Sequence, residues 1–169
     1  RMRDQVKSLA GLLEEKSAIP MVRDQMALIQ EVQTDEWWQD VTLPMLEQAR
    51  KLGVYRELVH ADLGEYLAAT AVRPDLILAA DVFGYVGDLA AVFRSARRIL
   101  EPGGCLAFTV ELARDGRDIQ LLPSLRYAHS GAYVRRLADE ARFTGVRISE
   151  APIRRDQTVP VMGLYVYLE

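Results

Sequence analysis

Residues 75–85 read Asp-Leu-Ile-Leu-Ala-Ala-Asp-Val-Phe-Gly-Tyr, and this stretch decides the fold class. Leucine, isoleucine and alanine follow one another without a polar interruption until Asp81. A short apolar run of this kind is typical of a parallel strand buried on both faces of a sheet. An amphipathic helix is predicted over residues 88–100, so the local order is strand, loop and helix.

The same alternation continues through the rest of the chain. Further strands are predicted at 57–61, 105–111, 145–153 and 159–168, and further helices at 64–71 and 133–143. Alternating strands and helices predict an α/β fold with a mostly parallel, partial Rossmann-like sheet of four or five strands. The last two strands are joined by a short turn, which predicts a C-terminal antiparallel hairpin.

The first 52 residues differ from this pattern because they carry only helix signals. Apolar residues recur at helical spacing, for example at Met26, Ile29 and Val32. Gly53 is placed to end the last of these helices. We therefore predict an all-α segment at 1–52 and an α/β domain at 53–169.

The composition limits the classes of function. The chain has 169 residues, about the size of one ordinary domain. Its 24 acidic and 21 basic residues give a net charge of −3, which argues against direct nucleic-acid binding by charge alone. We see no apolar run of membrane-spanning length and no signal peptide, so we expect a cytoplasmic protein without a membrane partner. Because the first residue is Arg, we expect the natural start to lie upstream.

Three acids lie at or near the ends of predicted strands: Asp62, Asp81 and Glu111. In an open α/β sheet the ligand lies beyond the carboxyl ends of the strands, where a carboxylate can accept hydrogen bonds from ribose hydroxyls or an exocyclic amine. The alternative for each is a helix N-cap or a solvated loop acid. The apolar and aromatic stretch from Val82 to Tyr85 could form a wall of a ligand pocket.

Residues 126–130, Arg-Tyr-Ala-His-Ser, form the densest polar cluster on a predicted loop. His129 is the candidate general base, because histidine titrates near neutral pH. The alternative is a hydrogen-bonded loop histidine that caps the next helix. No group of His, Cys, Asp and Glu has metal-ligand spacing, so we predict no metal site. Cys105 begins a predicted buried strand, where a thiol is usually packing.

Taken in order, several stretches after residue 45 resemble the C-terminal part of a class I S-adenosylmethionine-dependent methyltransferase of the TPR-associated branch. The matching stretches are Val59–Leu63, Asp75–Leu89, Ile99–Gly104 and Arg126–Val134. The resemblance implies S-adenosylmethionine as cofactor, with Asp62 near the adenine. It also implies that Asp81, Val82 and the loop after them border the methionine end and the acceptor. With their placement on a loop, it makes Tyr85, Arg126 and Tyr127 candidates to line the acceptor site.

The family's Gly-rich cofactor turn has no counterpart in the sequence, since no G-x-G follows a first strand. Aligned without gaps, Asp40 falls where the family keeps the acid that binds the ribose hydroxyls. The alternative is that Asp40 is a polar residue at the end of a helix.

Residues 1–51 resemble instead the C-terminal helical tail of the restriction (motor) subunit of type I restriction–modification systems. The stretches Ala18–Arg23 and Gln33–Glu47, with the Trp37–Trp38 pair, carry this resemblance. In that subunit the region serves complex assembly. The two resemblances meet near residues 45–51, which suggests a chain joined from two reading frames.

Two hypotheses about function follow. The first is a fragment of a methyltransferase that binds its cofactor no tighter than about millimolar and has little activity alone. The acceptor, a small molecule or a protein, is not specified by the sequence. The alternative is a helical interaction module that binds protein partners of a restriction complex. A nonfunctional chimeric fragment is the remaining possibility.

Overall fold

The computed structural model of the protein describes residues 25–30 and 36–169, with side chains from residue 44 onward. The chain divides into two compact units, residues 1–63 and 64–169. The division lies after Leu63, later than the boundary predicted at residue 52.

The first unit contains two parallel strands connected by a helix. Its elements are β1 (Gln25–Gln30), α1 (Glu36–Leu52) and β2 (Tyr55–Ala61). β1 and β2 pair in parallel, with Leu28 opposite Val59. Gly53 ends α1 with a φ of 64°, in the left-handed region that glycine adopts without a steric penalty, as predicted.

The prediction of an all-α segment at 1–52 was therefore wrong for residues 25–30. Methionine and isoleucine at positions 26 and 29 fit a helical face, but strands also accept such residues. A short apolar run does not distinguish helix from strand by periodicity alone. The parallel partner, β2, comes from a segment far along the chain, so the pairing is a tertiary effect.

The second unit is an α/β unit around a six-stranded sheet. Its helices are α2 (Leu63–Ala69, beginning at the boundary), α3 (Ala90–Ile99) and α4 (Gly131–Glu140). Its strands are β3 (Leu76–Ala79), β4 (Cys105–Leu112), β5 (Ile119–Leu121), β6 (Tyr127–His129), β7 (Val146–Asp156) and β8 (Val159–Leu168). A short 3₁₀ turn, Phe83–Tyr85, follows β3.

The sheet is centred on β4. β3 pairs in parallel with the first half of β4, and β6 pairs in parallel with its end. β8 lies antiparallel on the other side of β4, and β7 pairs antiparallel with β8. The predicted α/β class and the C-terminal antiparallel hairpin are confirmed.

The sheet has more strands than the four or five predicted, because β5 and β6 form a short antiparallel hairpin. Tyr127 and His129 consequently lie in a strand, whereas the sequence predicted a loop at 126–130. Three-residue strands carry too little periodicity to be identified from the sequence. The following helix is capped by Ser130, whose Oγ accepts a hydrogen bond from the Tyr133 N–H at 3.0 Å.

Aromatic rings form the centre of the core. Phe93 of α3 makes edge contacts with Phe108 of β4 and with Phe143, at centroid distances of 5.7 Å and 6.3 Å. Phe83 packs on the same Phe108 ring at 5.0 Å. The contact fixes the loop after β3 against the sheet, and this loop carries the site described next.

Candidate functional site

Two acids lie at the carboxyl ends of the neighbouring parallel strands β3 and β4. Asp81 is the second residue after β3, and Glu111 is the seventh of the eight residues of β4. The Asp81 N–H donates a hydrogen bond to Thr109 Oγ1 of β4 at 3.0 Å. Asp81 has a φ of 58°, a conformation that aspartate tolerates better than most residues. Its side chain is 50% exposed, whereas that of Glu111 is 6% exposed.

Arg126 connects both acids to the loop after β3. Its Nε donates to Glu111 Oε1 at 2.8 Å, and its guanidinium also forms an ion pair with Asp81 Oδ1. The third contact is with Tyr85, whose hydroxyl accepts from Arg126 Nη1 at 2.7 Å. The guanidinium also lies over the Tyr85 ring, 4.5 Å from its centroid. Arg126 is 11% exposed, so it acts as a buried clamp on residues 81–85.

Gly84 leaves room for the Arg126 guanidinium beside the loop after β3. A Cβ atom at this position would lie 2.7 Å from Arg126 Nη2. The guanidinium therefore occupies the space that any other residue at position 84 would need for its side chain.

A second arginine reaches the same buried carboxylate from the C-terminal hairpin. Arg154 Nη2 donates to Glu111 Oε1 at 2.7 Å, and this hydrogen bond raises the pKa of the Arg154 guanidinium. A register shift in β7 between Pro152 and Arg154 lies beside this residue. Irregularities of this kind change the direction in which a side chain points.

We call Asp81, Glu111, Arg126 and Arg154 the charge cluster. It contains two carboxylates and two guanidinium groups, so it is formally neutral. The sequence identified the two acids from their positions after strands and Arg126 from its polar surroundings. It missed Arg154, whose only signal was an Arg-Arg pair in a hairpin strand.

His129 lies apart from the charge cluster and is completely buried. Its Nε2 is 2.8 Å from the carbonyl oxygen of Gly87, so Nε2–H is the donor and Nδ1 carries the lone pair. Burial lowers the pKa of His129, which favours the neutral ring. The role of general base for His129 stays a prediction.

Tyr127 is half-buried and packs against the same segment. A Cβ atom at Gly87 would lie 3.2 Å from the Tyr127 ring, so the ring covers the backbone there. Tyr127 and His129 thus both hold the start of the segment that leads to α3. The structure brings Tyr85, Arg126 and Asp81 together and places these two beside Gly87.

Asp88 and Tyr133 form a hydrogen-bond network beside His129. Tyr133 Oη donates to Asp88 Oδ1 at 2.8 Å and accepts from the Leu89 N–H at 2.9 Å. The His129 and Tyr133 rings stack with centroids 5.7 Å apart. The Ala90 N–H and then the Tyr133 hydroxyl lower the pKa of Asp88. Burial, followed by the hydrogen bond to Asp88, raises the pKa of Tyr133 to about 12.

The raised Tyr133 pKa predicts a loss of stability in alkaline solution. Between the ordinary tyrosine pKa of 10.0 and about 12, the unfolded chain releases this proton while the folded protein keeps it. The free energy of unfolding must therefore fall as pH rises through this range. We expect a shallower fall for Tyr133→Phe than for the wild-type protein in urea titrations at several pH values. Equal slopes for the two proteins would contradict this assignment.

The remaining predicted cofactor residues, Asp62 and Asp40, lie in the first unit. Asp62 directly follows β2 and is partly buried. Asp40 lies inside α1, whereas an acid that binds ribose hydroxyls would directly follow a strand; β1 ends at Gln30. The helix predicted by the alternative is present, but Asp40 lies inside it and not at its end. The role of Asp40 in cofactor binding stays a prediction.

The residues that the structure describes contain neither a candidate metal site nor a membrane-spanning helix. No group of three or more His, Cys, Asp and Glu side chains within them could hold a metal ion. None of the helices in the described part is both long and apolar enough to cross a membrane.

Comparisons with known proteins agree with the fold. A malonyl-[acyl-carrier protein] O-methyltransferase of Legionella pneumophila is 35% identical over 100 residues, which cover 56% of this chain and 35% of that protein. The matched part therefore spans about a third of that relative's length. A structure of an S-adenosylmethionine-dependent methyltransferase from Clostridium acetobutylicum superposes with a TM-score of 0.57 at 10% identity, covering 91% of this chain and 78% of the other.

A further solved structure is N-methyltransferase NodS from Bradyrhizobium japonicum, in complex with S-adenosyl-L-homocysteine. Its TM-score is 0.54 at 15% identity, and the superposition covers 91% of this chain and 70% of the other. At such low identities, the two structures establish the shared fold.

A family model described as a methyltransferase domain matches residues 12–144. The match runs continuously through residues 45–51, where the sequence analysis placed a join between two resemblances. It therefore supports neither this join nor the resemblance of residues 1–51 to a restriction subunit. The match covers most of the chain and includes β3, β4 and the residues of the charge cluster other than Arg154. The chain belongs to the methyltransferase domain family.

Proposed function

We propose that the protein takes part in S-adenosylmethionine-dependent methyl transfer, with the acceptor approaching the carboxyl edge of β3 and β4. The observation that carries this proposal is the position of Asp81 and the Phe83–Tyr85 turn beyond β3, held in place by Arg126. Ligands of open α/β sheets bind at this edge.

The donor and acceptor groups present fit the cofactor in part. S-adenosylmethionine carries an amine on its adenine, ribose hydroxyls and an ammonium group, all of which need oxygen acceptors. Asp62 belongs to the first unit and directly follows β2, and its place near the adenine stays a prediction from the resemblance. Asp81 is half-exposed and offers one beyond β3, next to Val82. Asp40, which lies inside α1, stays a prediction from the gapless alignment.

The bound cofactor supplies an electrophilic methyl group on its sulfonium. The protein's contribution is position: Arg126 fixes Asp81 and Tyr85, and Phe83 anchors the loop on Phe108. A loop held rigidly at 81–85 can orient the acceptor toward the methyl group. Correct orientation of the two reactants is the main requirement of such a transfer. Tyr85, Arg126 and Tyr127 are the proposed acceptor-side residues, and His129 is held neutral and buried behind them.

Titration of ¹⁵N-labelled protein with S-adenosylmethionine tests the proposal. We expect saturable shifts of the amide resonances of residues 81–86, with a dissociation constant of about a millimolar because the Gly-rich turn has no counterpart in the sequence. ATP is the control for binding that depends on adenine alone. Absence of shifts at 81–86 would contradict the function, and micromolar binding would contradict the expected weakness.

The alternative hypothesis, an interaction module of a restriction complex, has no observation that favours it. A protein partner of residues 1–52 and a cytoplasmic location stay predictions.

A further inference from the structure

The chain between the 3₁₀ turn and α3 is held from one side by β6 and α4. The Nε2–H of His129 donates to the carbonyl oxygen of Gly87 at 2.8 Å. Tyr133 holds the next two residues, because its hydroxyl donates to the Asp88 carboxylate and accepts from the Leu89 N–H. Segment 87–89 therefore depends on one histidine and one tyrosine for its position.

The ring of His129 fits this place only in its neutral form. The side chain is completely buried, and Nδ1 has no hydrogen-bond partner among the described residues. In the neutral ring Nδ1 carries a lone pair, whereas both nitrogens of the protonated ring are donors. Protonation would therefore place a charge and a second, unpaired N–H in the core, and both are costly to bury.

The surroundings of the ring favour the neutral form. The residues opposite His129 on the neighbouring strands, Leu112 and Ile119, are apolar. Burial lowers the pKa of His129 and outweighs the backbone carbonyls of residues 86–87 and the Asp88 charge, which act in the opposite direction. Acid is therefore the condition that opposes the contact with the backbone.

The other ionisable groups near the ring keep one charge state between about pH 5 and 8. The Ala90 N–H and the Tyr133 hydroxyl hold the pKa of Asp88 below its ordinary value of 3.8. Burial raises the pKa of Tyr133 to about 12. The guanidinium groups of Arg94 and Arg136, which act on Asp88 and Tyr133, are always charged in proteins. His129 is thus the group in this network that titrates in the range.

We propose that His129 is a positioning residue whose protonation releases segment 87–89, so that the acceptor side is held at neutral pH and loosened in acid. The consequence for the acceptor rests on the proposed methyl transfer, whereas the release of the segment does not. Below the ordinary histidine pKa of 6.5, an exposed ring takes up a proton that the buried ring excludes. The segment is therefore fully held above pH 6.5, and its release becomes more favourable by at most about tenfold per pH unit below it, because one proton is involved.

Nuclear magnetic resonance of the ¹⁵N-labelled full chain between about pH 8 and 5 tests the proposal. At neutral pH the ring nitrogens of His129 should show the Nε2–H tautomer. On acidification the amide resonances of 87–89 should shift in one transition with a midpoint below 6.5, together with the His129 ring signals. The amide resonances of residues 146–149, in β7 at the far edge of the sheet, should stay unchanged.

His129→Gln separates the hydrogen bond from the titration. The glutamine side chain offers an N–H to Gly87 but does not titrate in this range, so 87–89 should keep their neutral-pH shifts and show no acid transition. His60→Gln is the matched control, because His60 is the other histidine of the sequence and is exposed. It should behave as the wild-type protein does. In this variant His129 is the single histidine, so its tautomer and titration are measured even if His129→Gln fails to fold.

Three results would overturn the role of His129. The first is that segment 87–89 keeps its shifts down to about pH 5. The second is a transition that persists in His129→Gln or vanishes in His60→Gln. The third is that residues 146–149 shift together with 87–89, which would indicate acid unfolding of the whole unit. Release of 87–89 without a response of residues 81–86 to S-adenosylmethionine would instead overturn the proposed function and leave the role of His129 standing.

Discussion

Replacing Arg126 with alanine is expected to lower the free energy of unfolding by about 3 kcal/mol, the lower end of the range for breaking a buried ion pair. The reason is that Glu111 would stay buried with Arg154 as its one guanidinium partner among the described residues. The change would also remove the hydrogen bond to Tyr85 and the ion pair with Asp81, so the loop at 81–85 would lose its clamp. Urea unfolding followed by circular dichroism measures the effect.

Arg136→Ala is the control for this variant. Arg136 also pairs with an aspartate, Asp118, at 2.8 Å, but both side chains are about half exposed. Exposed pairs contribute little because water screens them, so this variant should unfold like the wild-type protein. If Arg126→Ala and Arg136→Ala were equally stable, the contacts of Arg126 with Glu111 and with the loop at 81–85 would not stabilise the fold as a buried ion pair does. In a double-mutant cycle, Glu111→Gln combined with Arg126→Ala should cost less than the sum of the single changes, because the buried side chain that Arg126 neutralises no longer carries a charge.

Phe93→Ala is expected to have an effect at least as large, about 3–5 kcal/mol. Phe93 is fully buried and contacts both Phe108 and Phe143, so truncation leaves a cavity between α3 and β4. Leu125→Ala is the control: Leu125 is 77% exposed, and its loss should change stability by less than about 0.5 kcal/mol. Chemical unfolding of both variants provides the comparison. A loss below about 1 kcal/mol for Phe93→Ala would mean that the core collapses into the cavity.

Phe93→Ala and Arg126→Ala also distinguish a loss of core packing from a loss of the contacts that position the loop at 81–85. Both should be less stable, but only Arg126→Ala removes a contact with the loop at 81–85. Amide shifts of these residues at neutral pH should therefore change in Arg126→Ala beyond what Phe93→Ala produces.

Several local features could be predicted from the sequence because nearby residues determine them. The apolar run forms a parallel strand at 76–79, as predicted, but the expected burial on both faces was wrong, since only Ala79 is buried and Leu78 is 50% exposed. Ser130 caps a helix because its hydroxyl lies three residues before the N–H it satisfies. The hairpin of β7 and β8 followed from a short connection. The strand β1 could not be predicted, because its partner β2 is separated from it by a 17-residue helix.

The candidate site divides in the same way. The sequence by itself determined the α/β class and the positions of Asp81 and Glu111 at or near strand ends, since strand patterns and their ends are local. It also gave Arg126 as a candidate, but not its partners. Only the tertiary structure decided that Arg126 and Arg154 meet at Glu111 and that His129 is buried, because these contacts join segments up to 43 residues apart. Contacts between distant segments depend on which strands become neighbours in the sheet, and no local pattern encodes that order.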